Sequence, residues 1–382
     1  MRHLSKVLRR SMLSSALVVG FVAPQVLNAQ APPKAKAPKS DSAKKEAKAA
    51  ADTMPKIAKL PNAPLFKSEA LLDVTFTTNI RSLKRDRSNG APWRAATLSY
   101  ADTGVTSGKR VVPVRARTRG IWRLKNCDFP PVRLNFANKD AKGSLFRDLD
   151  EPKLVGYCKG MNNYEQYVLQ EYQLYRIYRL LTPVSHRVRL LRMTYVDSAS
   201  AKVDATKYAF LVEDPAHVAL TAGGKIINVL GATSDDLDGD HATLTYLFQY
   251  MIGNTDFSFG GLHNAELLAL PTGVNLPIAY DFDFAGAIDA SYATPDTSLR
   301  ITRVRDRQYR GFCQQNSLVP KVLQLFRDKK AAIYALYSDE IGALMAPRTV
   351  KETLEYFDAF YATIADPKEI HRRVLSDCRG PK

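Results

Sequence analysis

The sequence predicts an α+β fold, with a β-rich N-terminal part at residues 61–214 followed by a mainly helical part at 215–382. Three observations carry this expectation. Between 68 and 136 the pattern favours strands, with apolar and polar residues alternating at 72–77 and 112–117, and 188–196 and 208–214 read as a further pair of strands. From Val319 onward apolar residues recur at helical spacing instead. The roughly 320 residues left after a leader and a tether exceed one average domain, which fits two lobes packed over a cleft.

The leader comes first. Arg2, Lys6, Arg9 and Arg10 precede an apolar run from Met12 to Pro24, and Val26-Leu27-Asn28-Ala29 follows. These are the parts of a bacterial-type secretory signal peptide, residues 1–29, cut after Ala29. Its core is too short for a permanent membrane span, and no Cys follows it closely enough for a lipid anchor. The expectation is an exported protein, periplasmic or extracellular, with no transmembrane anchor. Residues 30–60 are mostly Ala, Lys and Pro and cannot build a core that offsets ordering entropy, so they read as a disordered tether.

Charge follows from these two segments. The chain carries +17 in all; residues 1–29 hold four basic and no acidic residues, and 30–60 hold eight Lys against three acids, which leaves +8 for the rest. That balance comes without any DNA- or RNA-binding motif, so no nucleic-acid partner is expected. The Lys-rich tether reads as a solvated linker that is able to brush an acidic envelope surface.

In the β-rich part, 72–77, 112–117 and 131–136 read as strands. Arg115, Arg117 and Arg119 fall on one strand face if the strand holds, either as a phosphate-facing surface or as a solvated outer face. A helix spans about 164–181 and stops before Pro183, with Glu171 beside its apolar stripe. Residues 188–196 and 208–214 read as two further strands. Residues 221–240 read as a flexible surface loop, because Asp235, Asp236, Asp238 and Asp240 lack the ligand order and terminal Glu of a calcium loop.

The chemistry concentrates between Thr243 and Ala287. Leu244 to Ile252 suits a buried helix stopped by Gly253. A polar loop follows with Asp256 and, eight residues on, Asn264. Residues 265–270 and 276–279 pair as a hairpin across Pro271–Asn275, and the chain then reads Tyr280-Asp281-Phe282-Asp283. A loop Asp that aligns a nucleophile, with an Asn and a second Asp that hold metal, is an arrangement suited to phosphoryl transfer.

This block resembles the catalytic centre of the spore-coat-protein-H-like kinases, an atypical branch of the protein-kinase fold. The resemblance covers about residues 110–290 and is sharp only here. It implies a two-lobed kinase-like fold: a mainly antiparallel β lobe with one helix, then a mainly helical lobe. It implies Asp256 as the residue that orients or deprotonates the acceptor. Asn264 and Asp281 would hold Mg²⁺ or Mn²⁺, with Asp283 as an alternative or additional ligand. Glu171 would pair with a cation that contacts the phosphates of ATP, either Lys153 or Arg133. Glu213 would contact the ribose or stabilise the interlobe connection. Arg119-Gly120 resembles the family's Arg-Gly turn, although Ile121-Trp122 replaces the polar residues that follow it there. A protein acceptor, of unknown identity, is implied.

Beyond the block, Arg303, Arg305, Arg307 and Arg310 read as a helix gripping the opposite lobe or as a solvated face; in a catalytic cleft they would hold an acidic or phosphorylated acceptor. Cys127, Cys158, Cys313 and Cys378 lack zinc spacing, and their even count points to disulfides with three connectivities open. Pairing within each part gives Cys127–Cys158 and Cys313–Cys378, with buried free thiols as the other reading. No nucleophile-elbow Ser and no His pair at metal spacing is present. Two other classes stay open: a kinase-shaped scaffold of the envelope without turnover, and a metal-dependent phosphoesterase using Asp256, Asp281 and Asp283.

Overall fold

The alternating runs close into a barrel. A computed structural model describes residues 63–380, all within the unit Ala58–Lys382; the expected signal peptide and tether lie outside the described residues. In chain order the first elements are β1 (Leu72–Thr78), α1 (Ile80–Arg85), β2 (Arg94–Ala101), β3 (Lys109–Thr118) and α2 (Trp122–Asn126). Then come β4 (Val132–Asn135), α3 (Asn138–Ala141), β5 (Lys153–Val155), α4 (Asn162–Leu181), β6 (Val188–Asp197) and β7 (Val203–Val212).

The strands run in the order β1-β2-β3-β4-β5-β7-β6 and close on themselves. Every neighbouring pair is antiparallel except β1–β6, which is parallel with Leu72 beside Leu191 and Thr78 beside Asp197. Closure leaves no unpaired barrel edge. The period of two decides the interior. On β3, Val112, Val114 and Ala116 point inward while Lys109, Val111, Pro113 and Arg115 face out. The interior is filled by Phe76, Leu98, Leu134, Leu154, Met193, Tyr195 and Leu211.

The three arginines expected on one face divide. Arg115 and Arg117 lie over the Trp93 ring, at 5.4 and 4.3 Å from its centroid. β3 ends at Thr118, so Arg119 has already left the strand, and Gly120 turns with φ 93°.

The second half continues with α5 (Pro215–Thr221), β8 (Lys225–Ile227), α6 (Gly239–Ile252), β9 (Ala265–Ala269) and β10 (Asn275–Ala279). Its last helices are α7 (Val319–Ala335), α8 (Pro347–Ala365) and the short α9 (Pro367–Ile370). The expected hairpin forms as β9–β10, and β8 adds to its other edge. The stretch expected as a loose loop at 221–240 is therefore partly ordered. Two of its acids are caps: Asp236 closes a capping box with Thr233, and Asp238 caps α6 through the His241 amide at 2.7 Å.

α4 is buried almost all round and packs into the core shared by α6, α7 and α8. Gly253 ends α6 in the left-handed conformation, φ 67°, and a Cβ there would lie 1.9 Å from Tyr356 Oη. Only glycine fits. Both intra-part disulfides form, Cys127–Cys158 and Cys313–Cys378. Among the described residues no helix is long and apolar enough to cross a membrane.

Candidate functional site

Where α6 stops at Gly253, the loop that follows is tied down by its own polar side chains. Asn254 Oδ1 accepts the Asp256 amide at 3.0 Å. Asn264 Nδ2 donates to the Asp256 carbonyl at 2.7 Å and to Asp256 Oδ2 at 3.0 Å. The other carboxylate oxygen, Oδ1, lies 2.8 Å from His263 Nε2. Both oxygens of Asp256 are thus held, one by an amide and one by an imidazole.

From outside the loop, Arg310 donates to the carbonyls of Thr255 and Phe257, which bracket Asp256. The segment 302–313 was expected to be a helix, but residues 302–312 are turns and extended chain and only Cys313 begins a short 3-10 helix. Arg307 and Arg310 bond backbone carbonyls while Arg303 and Arg305 face Asp306 and Asp289, and irregular backbone lets each guanidinium reach a different partner.

β10 delivers the second half of the site. Asp281 sits in the left-handed region at φ 63°, and its amide donates to Tyr175 Oη of α4 at 2.9 Å. Leu262 and Asn264 also have positive φ. Each such non-glycine residue costs about 1 kcal/mol or more, and strain of this kind collects at functional sites. Phe282 is fully buried against Tyr175 and Phe248, and this anchors the two carboxylates that flank it.

Asp283 Oδ2 accepts from Tyr292 Oη at 3.0 Å and lies 4.0 Å from Arg123 Nη1. Burial, then the charge of Asp281, pushes its pKa up to about 7. Glu171 of α4 lies beneath, 1 % exposed, with its Oε1 bonded to nothing. Burial, then Asp283 and Asp281, hold its pKa well above the ordinary range. Arg123 is the buried counter-cation. Burial opposes its charge, but Tyr292 and the three carboxylates raise its pKa above the ordinary value.

The expected pairing of Glu171 with Lys153 or Arg133 does not form. Lys153 Nζ lies 3.8 Å from Glu266 of β9 and 3.5 Å from the Tyr280 ring centroid. Burial lowers its pKa to about 8. Arg133 faces Glu151 at 3.5 Å. The reason is register: β5 places Lys153 opposite Arg133 on one side and Val212 on the other, toward the hairpin, while the turn after β3 brings Arg123 to Glu171.

Glu213 is likewise committed. Its carboxylate takes the Arg187 guanidinium at 2.5 and 3.0 Å and the Arg187 amide at 3.0 Å. His186 Nδ1 lies 2.9 Å from its carbonyl. These contacts tie the end of β7 to the chain just before β6.

A cavity of about 880 Å³ unites these residues. Asp256, Asn264, Asp281 and Asp283 line it together with Lys153, Arg133 and Glu213, and Arg119 and Arg123 add to its wall. Glu171 lies behind the lining. Glu266 was missed in the sequence, Arg123 counted there only among the cations of the β-rich part, and His263 was given no role. His263 stands next to Asn264, and that adjacency was the one available signal.

An amide and two carboxylates are hard oxygen donors, the chemistry of Mg²⁺ or Mn²⁺. Among the described residues no group of three or more His, Cys, Asp or Glu forms a ready metal cluster. The raised pKa values of Asp283 and Glu171 fit a cation, because negative charge there is under-compensated by the protein alone. No family model matches the chain, and no curated protein matches it.

Proposed function

We propose that this chain is an exported, kinase-like phosphotransferase that passes the γ-phosphoryl of ATP to a hydroxyl of a protein acceptor, in a two-lobed arrangement like that of the spore-coat-protein-H-like kinases. The observation that carries the reading is one cavity in which Asp256, Asn264 and Asp281, from the loop after α6 and the end of β10, meet Lys153 and Arg133 from the distant β5 and β4. Bound Mg²⁺ or Mn²⁺ would be held by Asn264, Asp281 and Asp283 and would offset phosphate charge. Lys153, Arg133 and Arg119 supply cations for the phosphates. Asp256, braced by Asn264 and His263, orients the acceptor hydroxyl and takes its proton as the hydroxyl oxygen bonds to phosphorus and ADP leaves. Glu171 and Arg123 hold the floor beneath Asp283.

A scaffold without turnover is the second reading. It is favoured by the missing Lys153–Glu171 pair and by the engagement of Glu213 with Arg187. The test is a metal-dependent titration of ATP into the purified chain, followed by transfer of labelled phosphate to the chain itself or to a mixed protein substrate. A kinase binds ATP only with divalent metal, and Asp281→Asn abolishes transfer. No nucleotide binding leaves the scaffold, and phosphoester cleavage without ATP identifies a phosphoesterase.

A further inference from the structure

A second cavity, of about 430 Å³, shares no lining residue with the first. Arg300, Arg305, Arg307 and Arg373 meet there with a single carboxylate, Asp306. That carboxylate is already engaged by Arg303 at 2.7 Å.

Arg307 is the fixed point of the wall. Its Nε and Nη2 donate to the Met251 carbonyl at 3.2 Å, and Nη2 also reaches the Tyr356 carbonyl at 2.6 Å. The Tyr356 ring centroid lies 3.6 Å from its Cζ. Burial lowers its pKa, and among the described residues no carboxylate pairs with it. Carbonyl dipoles and a ring face are its only compensation, which leaves positive potential in the cavity.

The other three arginines hold replaceable partners at the surface: Arg300 has Asp377, Arg305 has Asp289 at 3.8 Å, and Arg373 has Glu369 at 2.5 Å. Exposed pairs of this kind contribute little, so an entering dianion can draw these guanidinium groups inward. Thr302 adds a hydroxyl to the wall, whereas the Thr363 hydroxyl already donates to the Ala359 carbonyl at 2.9 Å. We propose that this cavity is a binding site for a phosphoryl oxyanion, carried either by free phosphate or by a phosphorylated side chain. Guanidinium forks suit that geometry. The site stands independently of the reading of the Asp256 cavity.

The test is calorimetric titration of inorganic phosphate into the full chain at constant ionic strength, in a Lys153→Gln background that removes a cation from the larger cavity. Saturable binding is expected, weakened about tenfold or more by Arg305→Gln with Arg373→Gln. Arg307→Lys, checked for folding by circular dichroism because Arg307 also holds backbone, weakens it as well. O-phosphoserine binding more tightly than phosphate assigns the site to a phosphorylated side chain, and the reverse order assigns it to free phosphate. Absence of saturable phosphate binding, or binding unchanged in the Arg305/Arg373 double variant, overturns the proposal.

Discussion

Lys153 faces Glu266, at 3.8 Å, and not the helix glutamate Glu171. The one lysine in the wall of the large cavity is thereby oriented by the β9–β10 hairpin, with the ring of Tyr280 against its ammonium. Glu171 is left to the carboxylates of the Asp281–Asp283 turn and to Arg123.

Lys153 sets a pH limit on anion binding in that cavity. Its pKa is lowered by burial to about 8, so its charge is lost as pH rises through that value. ATP affinity measured by calorimetry is expected to fall several-fold between pH 7 and pH 9, while Lys153→Arg flattens the profile. Stability runs the other way. A folded pKa below the unfolded value means that burying the charged lysine costs stability below about pH 8, and that cost fades as pH rises further. Lys153→Met is therefore expected to raise Tm at pH 7 while weakening ATP binding.

Asp283 gives a prediction of opposite sign in pH. Its folded pKa, about 7, lies above its ordinary value, so the folded protein holds a proton there that the unfolded chain has lost. Stability without metal falls as pH rises from about 4 to about 7, at up to roughly 1.4 kcal/mol per pH unit. Asp283→Asn is expected to stabilise the metal-free protein at pH 8 by roughly 1–3 kcal/mol, with the gain vanishing near pH 4. Denaturant melts at the two pH values check this, and an equal gain at both would sink the assignment.

Asn264 serves Asp256 through its side chain and the loop through its backbone, whose φ is 47°. Two substitutions separate these roles. Asn264→Gly keeps the left-handed backbone and loses only the amide bonds, whereas Asn264→Ala adds about 1 kcal/mol of backbone strain. Both are expected to abolish phosphate transfer, with the Ala variant melting lower than the Gly variant.

The Cys313–Cys378 disulfide ties the Arg-rich segment to the C-terminal end across 65 residues of chain. Loop-closure entropy puts its worth at about 4 kcal/mol. Reduction, or Cys313→Ser with Cys378→Ser, is expected to lower Tm by several degrees, read by calorimetry with and without reductant.

Much of the fold was legible because local pattern decided it. The alternation at 112–117, the strand at 188–196, the helix stop at Gly253 and the turn at 271–275 each follow from their own residues. The ordering of 221–240 was not legible, since β8 forms only because the edge of β9 accepts three residues of it. The irregular path of 302–312 was hidden for a similar reason: Arg307 and Arg310 answer to carbonyls at Met251, Thr255, Phe257 and Tyr356, all distant in sequence.

By itself the sequence marked Asp256, Asn264, Asp281 and Asp283 as candidates, through turn chemistry within one 30-residue block and a resemblance to the spore-coat-protein-H-like kinases, and the structure brings all four to one cavity. Only the tertiary structure decided who partners whom. Partners across a cavity depend on strand register and barrel closure, where a shift of one residue turns a side chain to the opposite face. That is why Lys153 met Glu266, Arg123 met Asp283, and Glu213 was taken by Arg187.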